Sequence, residues 1–162
     1  MLRSPDRRCI RGRAARAAAG LEDTAELIEG DAFESLPAID DVFDLVFIDA
    51  EKEDYERLFE LARGKLEPGA LVVNFMDDDP KFDQTLERLE RAFGGAVVVM
   101  PALYDPNIVA FAFKGLAPAI SWDVLKHRAE KLESKLGLPF TRYVSRLRAM
   151  NRWTAAELII AP

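Results

Sequence analysis

The chain has 162 residues, of which 49% are hydrophobic and 31% are charged, a composition typical of one globular domain and not of a disordered protein. No apolar segment approaches the ~20 residues of a membrane-spanning helix, so an integral membrane protein is excluded. One cysteine, Cys9, and one histidine, His127, exclude both a disulfide framework and a Cys/His zinc site.

The net charge of −6 is distributed unevenly. Residues 1–16 contain six arginines and one acid, whereas the remaining residues carry 16 basic and 27 acidic side chains. An acidic body argues against a nucleic-acid partner, which requires a basic face, and favours a cationic substrate. We expect residues 1–13 to be a disordered basic start. The low cysteine content and the lack of an apolar export signal predict a cytoplasmic protein.

Apolar periodicity predicts alternating helices and strands. Residues 43–48 (FDLVFI) are apolar on both faces, which is typical of a central parallel strand. Up to the middle of the chain, the predicted elements are a helix at 13–19, strands at 25–29 and 43–48, a helix at 52–66 that Pro68-Gly69 stops, and a strand at 70–75.

The second half is predicted in the same way. It comprises a helix at 80–93 capped by Asp79, an antiparallel hairpin of strands at 96–100 and 108–113, a helix from Ser121 to Gly137, and a last helix from Phe140. This order predicts an α/β fold in which strands 43–48, 70–75, 96–100 and 108–113 form one sheet. We expect helices 52–66 and 80–93 to cover opposite faces of the sheet or to flank it.

Acidic residues follow three of the predicted strands. Asp31 follows the first strand, Asp49 the second, and Asp77, Asp78 and Asp79 the third. Ligands of open α/β sheets bind at the carboxyl ends of the strands, so these acids are candidate site residues. Asp49, Glu51 and Asp79 are also suited to capping a helix N-terminus, and both interpretations stay open.

Three segments resemble class I S-adenosylmethionine (AdoMet)-dependent methyltransferases: LIEGDAF (27–33), FDLVFIDAEKEDY (43–55) and LEPGALVVNF (66–75). The resemblance covers about residues 14–115 and implies a partial Rossmann-like sheet, mostly parallel with its last strand antiparallel, followed by C-terminal helices. It implies that Asp31 and Ala32 contact the adenine of the cofactor and that Asp49 faces the reacting centre.

Within that superfamily the chain resembles the spermidine-synthase-like aminopropyltransferases, in VVNF after Pro68-Gly69, in NIVAFAF (107–113) and in SWDVL from Ser121. This resemblance implies a small-molecule acceptor such as a polyamine, with Asp49 taking a proton from the attacking amine. We add Asp77 and Asp78 as candidate substrate-binding residues. Lys52 departs from the family pattern, which has a second aspartate there, and a lysine would repel a polyamine.

Two alternatives remain open. The Asp49-x-x-Lys52 pattern resembles cation-dependent O-methyltransferases, in which these residues serve as metal ligand and base, so Lys52 is a second candidate catalytic residue. Phe75 and Met76 occupy the place of that family's Asp-Asn metal pair, so we predict no metal site. The other alternative is a non-catalytic remnant or interaction module.

The sequence has no G-x-G-x-G loop, the feature through which backbone amides approach the cofactor in these folds. We therefore expect an N-terminally truncated domain at 14–115, with a helical extension at 116–162 packed on it. AdoMet or decarboxylated AdoMet should bind weakly or not at all. Strand 43–48, left as an exposed apolar edge unless strand 25–29 pairs with it, should promote self-association.

Overall fold

The structure, a computed structural model, describes residues 14–76, 78–115 and 119–161. They belong to two compact units, Met1–Asp40 and Asp41–Pro162. The predicted disordered start at 1–13 lies outside the described residues. The predicted domain bounds at 14–115 and 116–162 stay a prediction.

In the first unit, residues 14–18 are helical and helix α1 spans Ala32–Ala38. Residues 25–29 form no strand, so that prediction is wrong. Leu27 and Ile28 are 37% and 48% exposed, which shows that this short apolar segment lacks the packing surface that stabilises a strand. Helix α1 was not predicted, since its seven residues include Pro37 and carry no extended apolar face.

The second unit is built on a four-stranded sheet. Its strands are β1 (Phe43–Ile48), β2 (Leu66–Met76), β3 (Val97–Pro101) and β4 (Asn107–Lys114), in the order β1-β2-β4-β3. Strand β1 is parallel to β2, and β4 is antiparallel to both of its neighbours. The predicted single sheet with an antiparallel last strand is therefore confirmed.

One face of this sheet is covered by two helices. A short 3-10 helix (Lys52–Asp54) leads into α2 (Tyr55–Gly64), and α3 is formed by Phe82–Ala92. The ring of Phe75 on β2 meets the rings of Tyr55 and Phe82 edge-on, with centroids 5.6 and 5.5 Å away. An ion pair of 3.0 Å joins Arg88 to Glu56 across the two helices. The predicted arrangement with these helices on opposite faces of the sheet is therefore wrong, because both helices lie on the face to which Phe75 points.

Strand β2 begins earlier than the sequence predicted. Pro68 and Gly69 were expected to end a helix, but the helix ends at Gly64 and both residues lie inside the strand. A β-bulge between Phe43 and Leu45 adjusts the pairing of β1 with this first part of β2.

The opposite face is covered over β3 and β4 by the C-terminal part of the chain. Helix α4 (Trp122–Leu136) begins after the Ser121 cap and ends at Gly137, whose φ of +69° favours glycine, and helix α5 is Phe140–Arg146. Strands β5 (Ala119–Ser121) and β6 (Glu157–Ile159) form a small antiparallel sheet that was not predicted. The buried residues of this layer are Val98, Trp122, Leu147 and Leu158. None of the helices in the described ranges has the length and apolar character needed to cross a membrane.

The two edges of the main sheet differ. At the β3 edge, the Asn151 side chain accepts a hydrogen bond from the Val99 N–H (2.7 Å) and donates one to the Val99 carbonyl (2.6 Å), in the manner of an added strand. At the other edge of the described sheet, Leu45 and Phe47 of β1 are each 60% exposed. The strand that was predicted to be central is therefore the apolar edge.

We expect Gly69→Ala to destabilise the fold by about 1–3 kcal/mol, as overpacking does. A Cβ at position 69 would lie 2.6 Å from the backbone oxygen of Asp44 on β1, and backbone cannot move aside cheaply. The matched control is Gly64→Ala, where the added Cβ meets nothing within 4 Å. Urea unfolding should show a lower midpoint for Gly69→Ala and an equal or higher midpoint for Gly64→Ala. Equal midpoints for the two variants would show that the strands do not approach this closely.

Candidate functional site

The candidate site lies at the carboxyl ends of β1 and β2. Asp49 directly follows β1, and Asp79 is the third residue after the end of β2. Because the two strands are parallel neighbours, these ends lie at the same edge of the sheet. Asp49 is exposed and Asp79 is half-buried, so both carboxylates can meet a ligand from solvent.

Tyr55, the first residue of α2, connects this helix to the end of β2. Only 3% of Tyr55 is exposed, and its hydroxyl donates a hydrogen bond of 2.8 Å to the backbone oxygen of Asn74. Its ring also packs at 5.8 Å from the ring of Phe59. Sequence analysis placed Tyr55 only on the apolar face of a helix. Its position among the acidic residues of DAEKEDY was the one indication that its hydroxyl has a polar role.

The pKa of Tyr55 is raised, and its causes identify the surroundings of the phenol. Burial is the largest cause, followed by the negative charge of Asp49. A hydrogen bond with the backbone of Ala50 acts in the opposite direction, and the charges of Asp79 and Glu51 raise the pKa further. The charges of three carboxylates that follow two neighbouring strand ends therefore act on one neutral hydroxyl.

Asp79 also has a local structural role. Its Oδ1 accepts a hydrogen bond of 3.0 Å from the Lys81 N–H, and its backbone oxygen accepts one of 2.9 Å from the Phe82 N–H. These bonds form a turn before α3. The prediction that Asp79 caps a helix beginning at residue 80 is wrong, because α3 begins at Phe82 and its N-cap residue is Lys81. Of the two predicted substrate-binding acids, Asp78 is exposed beside this turn and Asp77 lies outside the described residues.

Asp31 and Ala32, the predicted adenine contacts, lie in the first unit. Asp31 is the N-cap of α1, where its Oδ1 accepts a hydrogen bond of 2.8 Å from the Phe33 N–H, and Ala32 is the first helical residue. Asp31 therefore caps a helix that the sequence did not predict, while its contact with adenine stays a prediction.

Lys52 begins the 3-10 helix that follows Asp49. Its role as a base stays a prediction. In the described part of the chain, no three His, Cys, Asp or Glu side chains are grouped in a way that could hold a metal ion.

Comparison with known families and proteins gives consistent matches. Residues 4–78 match the family model of a methyltransferase domain. A polyamine aminopropyltransferase of Chromobacterium violaceum is 30% identical over 146 residues, which are 85% of this chain and 56% of that protein. A polyamine aminopropyltransferase of Neisseria meningitidis serogroup A is 30% identical over 134 residues, which are 78% of this chain and 51% of that protein. The chain thus spans about half the length of these relatives.

Two solved structures share the fold. A Klebsiella pneumoniae protein assigned to the O-methyltransferases superposes with a TM-score of 0.54 at 18% identity, covering 69% of this chain and 60% of that one. Spermidine synthase in complex with the transition-state analogue AdoDATO superposes with a TM-score of 0.52 at 19% identity, covering 76% of this chain and 46% of that one.

The raised pKa of Tyr55 predicts a pH-dependent contribution to stability. The native state favours the protonated phenol, so this contribution is complete below the ordinary pKa of 10.0 and is lost as the pH rises through the higher native pKa. We expect the urea midpoint of the unchanged protein to fall more steeply above pH 10 than that of Tyr55→Phe. At neutral pH the same variant should lose about 0.5–1.5 kcal/mol with its hydrogen bond.

The control for this measurement is Tyr104→Phe, since Tyr104 is 74% exposed. This variant should retain the steep fall of the unchanged protein above pH 10. If Tyr55→Phe also retains it, Tyr55 is not the group responsible.

Proposed function

We propose that this chain is a member of the class I AdoMet-dependent methyltransferase superfamily and carries the amine-binding side of an aminopropyltransferase site. The observation that carries the proposal is that Asp49, after β1, and Asp79, beyond the end of β2, lie at the same edge of the sheet, where their charges act on the Tyr55 hydroxyl. The names of the relatives at 30% identity support the same activity.

The charge of these carboxylates suits a polyamine. An ammonium group leaves water at low cost only where carboxylates replace its hydration, and hydrogen bonds between charged partners are about twice as strong as neutral ones. The protonated phenol of Tyr55 adds no negative charge to this edge of the sheet and keeps a fixed position through its bond to Asn74. We propose a cytoplasmic polyamine as the acceptor.

Asp49 is the proposed proton acceptor. The Asp49 carboxylate binds the ammonium group of the acceptor and takes one of its protons, which frees the nitrogen lone pair that forms the new N–C bond. The product nitrogen then carries the positive charge that the sulfonium loses. Decarboxylated AdoMet, when bound, supplies the aminopropyl group, and the electron pair of the broken C–S bond leaves with sulfur as methylthioadenosine. Asp78 and Asp77 are proposed to bind the distal ammonium of the acceptor.

Asp31 fits the proposed contact with the nucleoside. Its Oδ1 caps α1, and Oδ2 remains able to accept a hydrogen bond from an adenine amino group, with Ala32 beside it. Because the sequence offers no G-x-G-x-G loop, we expect weak binding. Calorimetry with AdoMet and with decarboxylated AdoMet should give millimolar dissociation constants or no detectable binding, and low micromolar values would contradict this expectation.

O-methyl transfer is the second candidate. The Asp49-x-x-Lys52 pattern and the structural neighbour assigned to the O-methyltransferases favour it. In that reaction Lys52 would be the base that takes the proton of a hydroxyl acceptor. A non-catalytic interaction module is the third candidate.

The test compares two aspartate variants of the same strand region. At millimolar decarboxylated AdoMet with putrescine or spermidine, we expect the unchanged chain to release methylthioadenosine. Asp49→Asn should lower that rate by about 10²-fold or more, as loss of a general base does. Asp44→Asn, which alters an exposed acid within β1, should leave the rate unchanged.

The other outcomes identify the rival functions. O-methyl transfer would be established by three results together. The chain would release S-adenosylhomocysteine from AdoMet and a catechol, Lys52→Met would lose that release, and polyamines would yield no methylthioadenosine. No product from either donor, together with equal spermidine binding by the chain and by Asp49→Asn, would establish a non-catalytic module.

We also propose self-association through the β1 edge. Leu45 and Phe47 are each 60% exposed there, and an unpaired apolar edge strand is prone to pair with another chain. Light scattering coupled to size exclusion should show a mass that rises with concentration, and Phe47→Lys should restore the monomer. The control Val124→Lys, at a residue 42% exposed on α4, should not. A monomer at every concentration would contradict the proposal.

A further inference from the structure

A cavity of about 360 Å³ lies between the sheet and the C-terminal helices, on the face opposite α2 and α3. Its floor is formed by β3 and β4, including Phe111 and Phe113, and its walls by α4 and α5, including Leu125 and Val144. This volume falls within the range of small-molecule sites, roughly 300–1,000 Å³.

The lining is apolar and incompletely filled by the protein itself. Phe111, Phe113, Leu125 and Val144 are all only partly buried, although the core residues behind them, such as Leu147, are buried. Apolar side chains that face an open cavity lose part of the stabilisation of close packing. An apolar ligand of matching size would restore those contacts.

Two polar side chains are the exceptions in this lining: Arg128 of α4 and Tyr143 of α5. Among the described residues, neither the Arg128 guanidinium nor the Tyr143 hydroxyl has an ion-pair or hydrogen-bond partner. No acid stands at helical spacing from Arg128, since positions 124, 125, 131 and 132 are Val, Leu, Lys and Leu.

Glu133, the acid that joins α4 to α5, is already engaged. Its Oε2 accepts hydrogen bonds from the Thr141 hydroxyl (2.6 Å) and the Thr141 N–H (2.9 Å). These bonds lower the pKa of Glu133. The positive charge of Arg128 at the cavity is therefore not compensated by this carboxylate.

We propose that the cavity binds a small amphipathic carboxylate. Its apolar chain lies against the Phe111 and Phe113 floor, and its carboxylate accepts hydrogen bonds from Arg128 and Tyr143. A guanidinium matches a carboxylate in a bidentate geometry, which gives a preference for this head group over a neutral one. The inference does not rest on the proposed transferase function.

Calorimetric titration of the 162-residue chain with octanoate tests the proposal. We expect saturable one-to-one binding with a dissociation constant at or below about 1 mM. The neutral analogue octanamide should bind at least about tenfold more weakly. A parallel titration with 4-phenylbutyrate shows whether the cavity prefers an aliphatic or an aromatic chain on the ligand. Binding of either compound supports recognition of an apolar chain that carries a carboxylate.

Arg128→Gln should weaken octanoate binding by about tenfold or more, as loss of a charged hydrogen bond does, and Tyr143→Phe should weaken it less. The control Lys126→Gln removes an equal charge from the same helix away from the cavity and should bind normally. Thermal unfolding of each variant without ligand checks that the fold is retained. Absence of saturable binding up to about 10 mM, or equal binding by Arg128→Gln, would overturn the proposal.

Discussion

Strand β2 is the constraint on which the second unit depends. It pairs with β1 in parallel and with β4 in antiparallel orientation, and thereby joins two differently oriented parts of one sheet. Its Leu71 and Val73 are completely buried on the face that α2 and α3 cover. A register slip of one residue would move both side chains to the other face, so the position of β2 also fixes where those helices pack. The close approach at Gly69 restricts the register from the β1 side.

The two faces of the sheet are covered unequally. Helices α2 and α3 share one face, whereas α4 and α5 cover the other face only over β3 and β4. The segment FDLVFI has the composition of a strand buried on both faces, but Leu45 and Phe47 remain exposed. Asn151 satisfies backbone groups at the β3 edge, so the edge of the described sheet that this unit offers to another molecule is β1.

Electrostatics and packing are combined at Tyr55. Its ring belongs to the aromatic cluster under α2 and α3, while its hydroxyl lies within reach of the charges of three carboxylates. Aromatic packing therefore fixes the position of a neutral hydroxyl at the edge of the sheet where Asp49 and Asp79 lie.

Local patterns in the sequence determined most of the elements: an apolar segment such as 43–48 predicts a strand wherever it packs, and Ser121 and Gly137 mark the ends of α4 through their own backbone preferences. The acids after the strands were likewise visible, because position along the chain is sufficient to find them. Only the tertiary structure decided which apolar segments pair with a neighbouring strand. Segment 25–29 does not pair with one. It also decided which face each helix covers and that Tyr55 reaches Asn74 across 19 residues. These features are contacts between distant parts of the chain, and the periodicity of a single segment reports which of its faces is apolar but not which surface that face will meet.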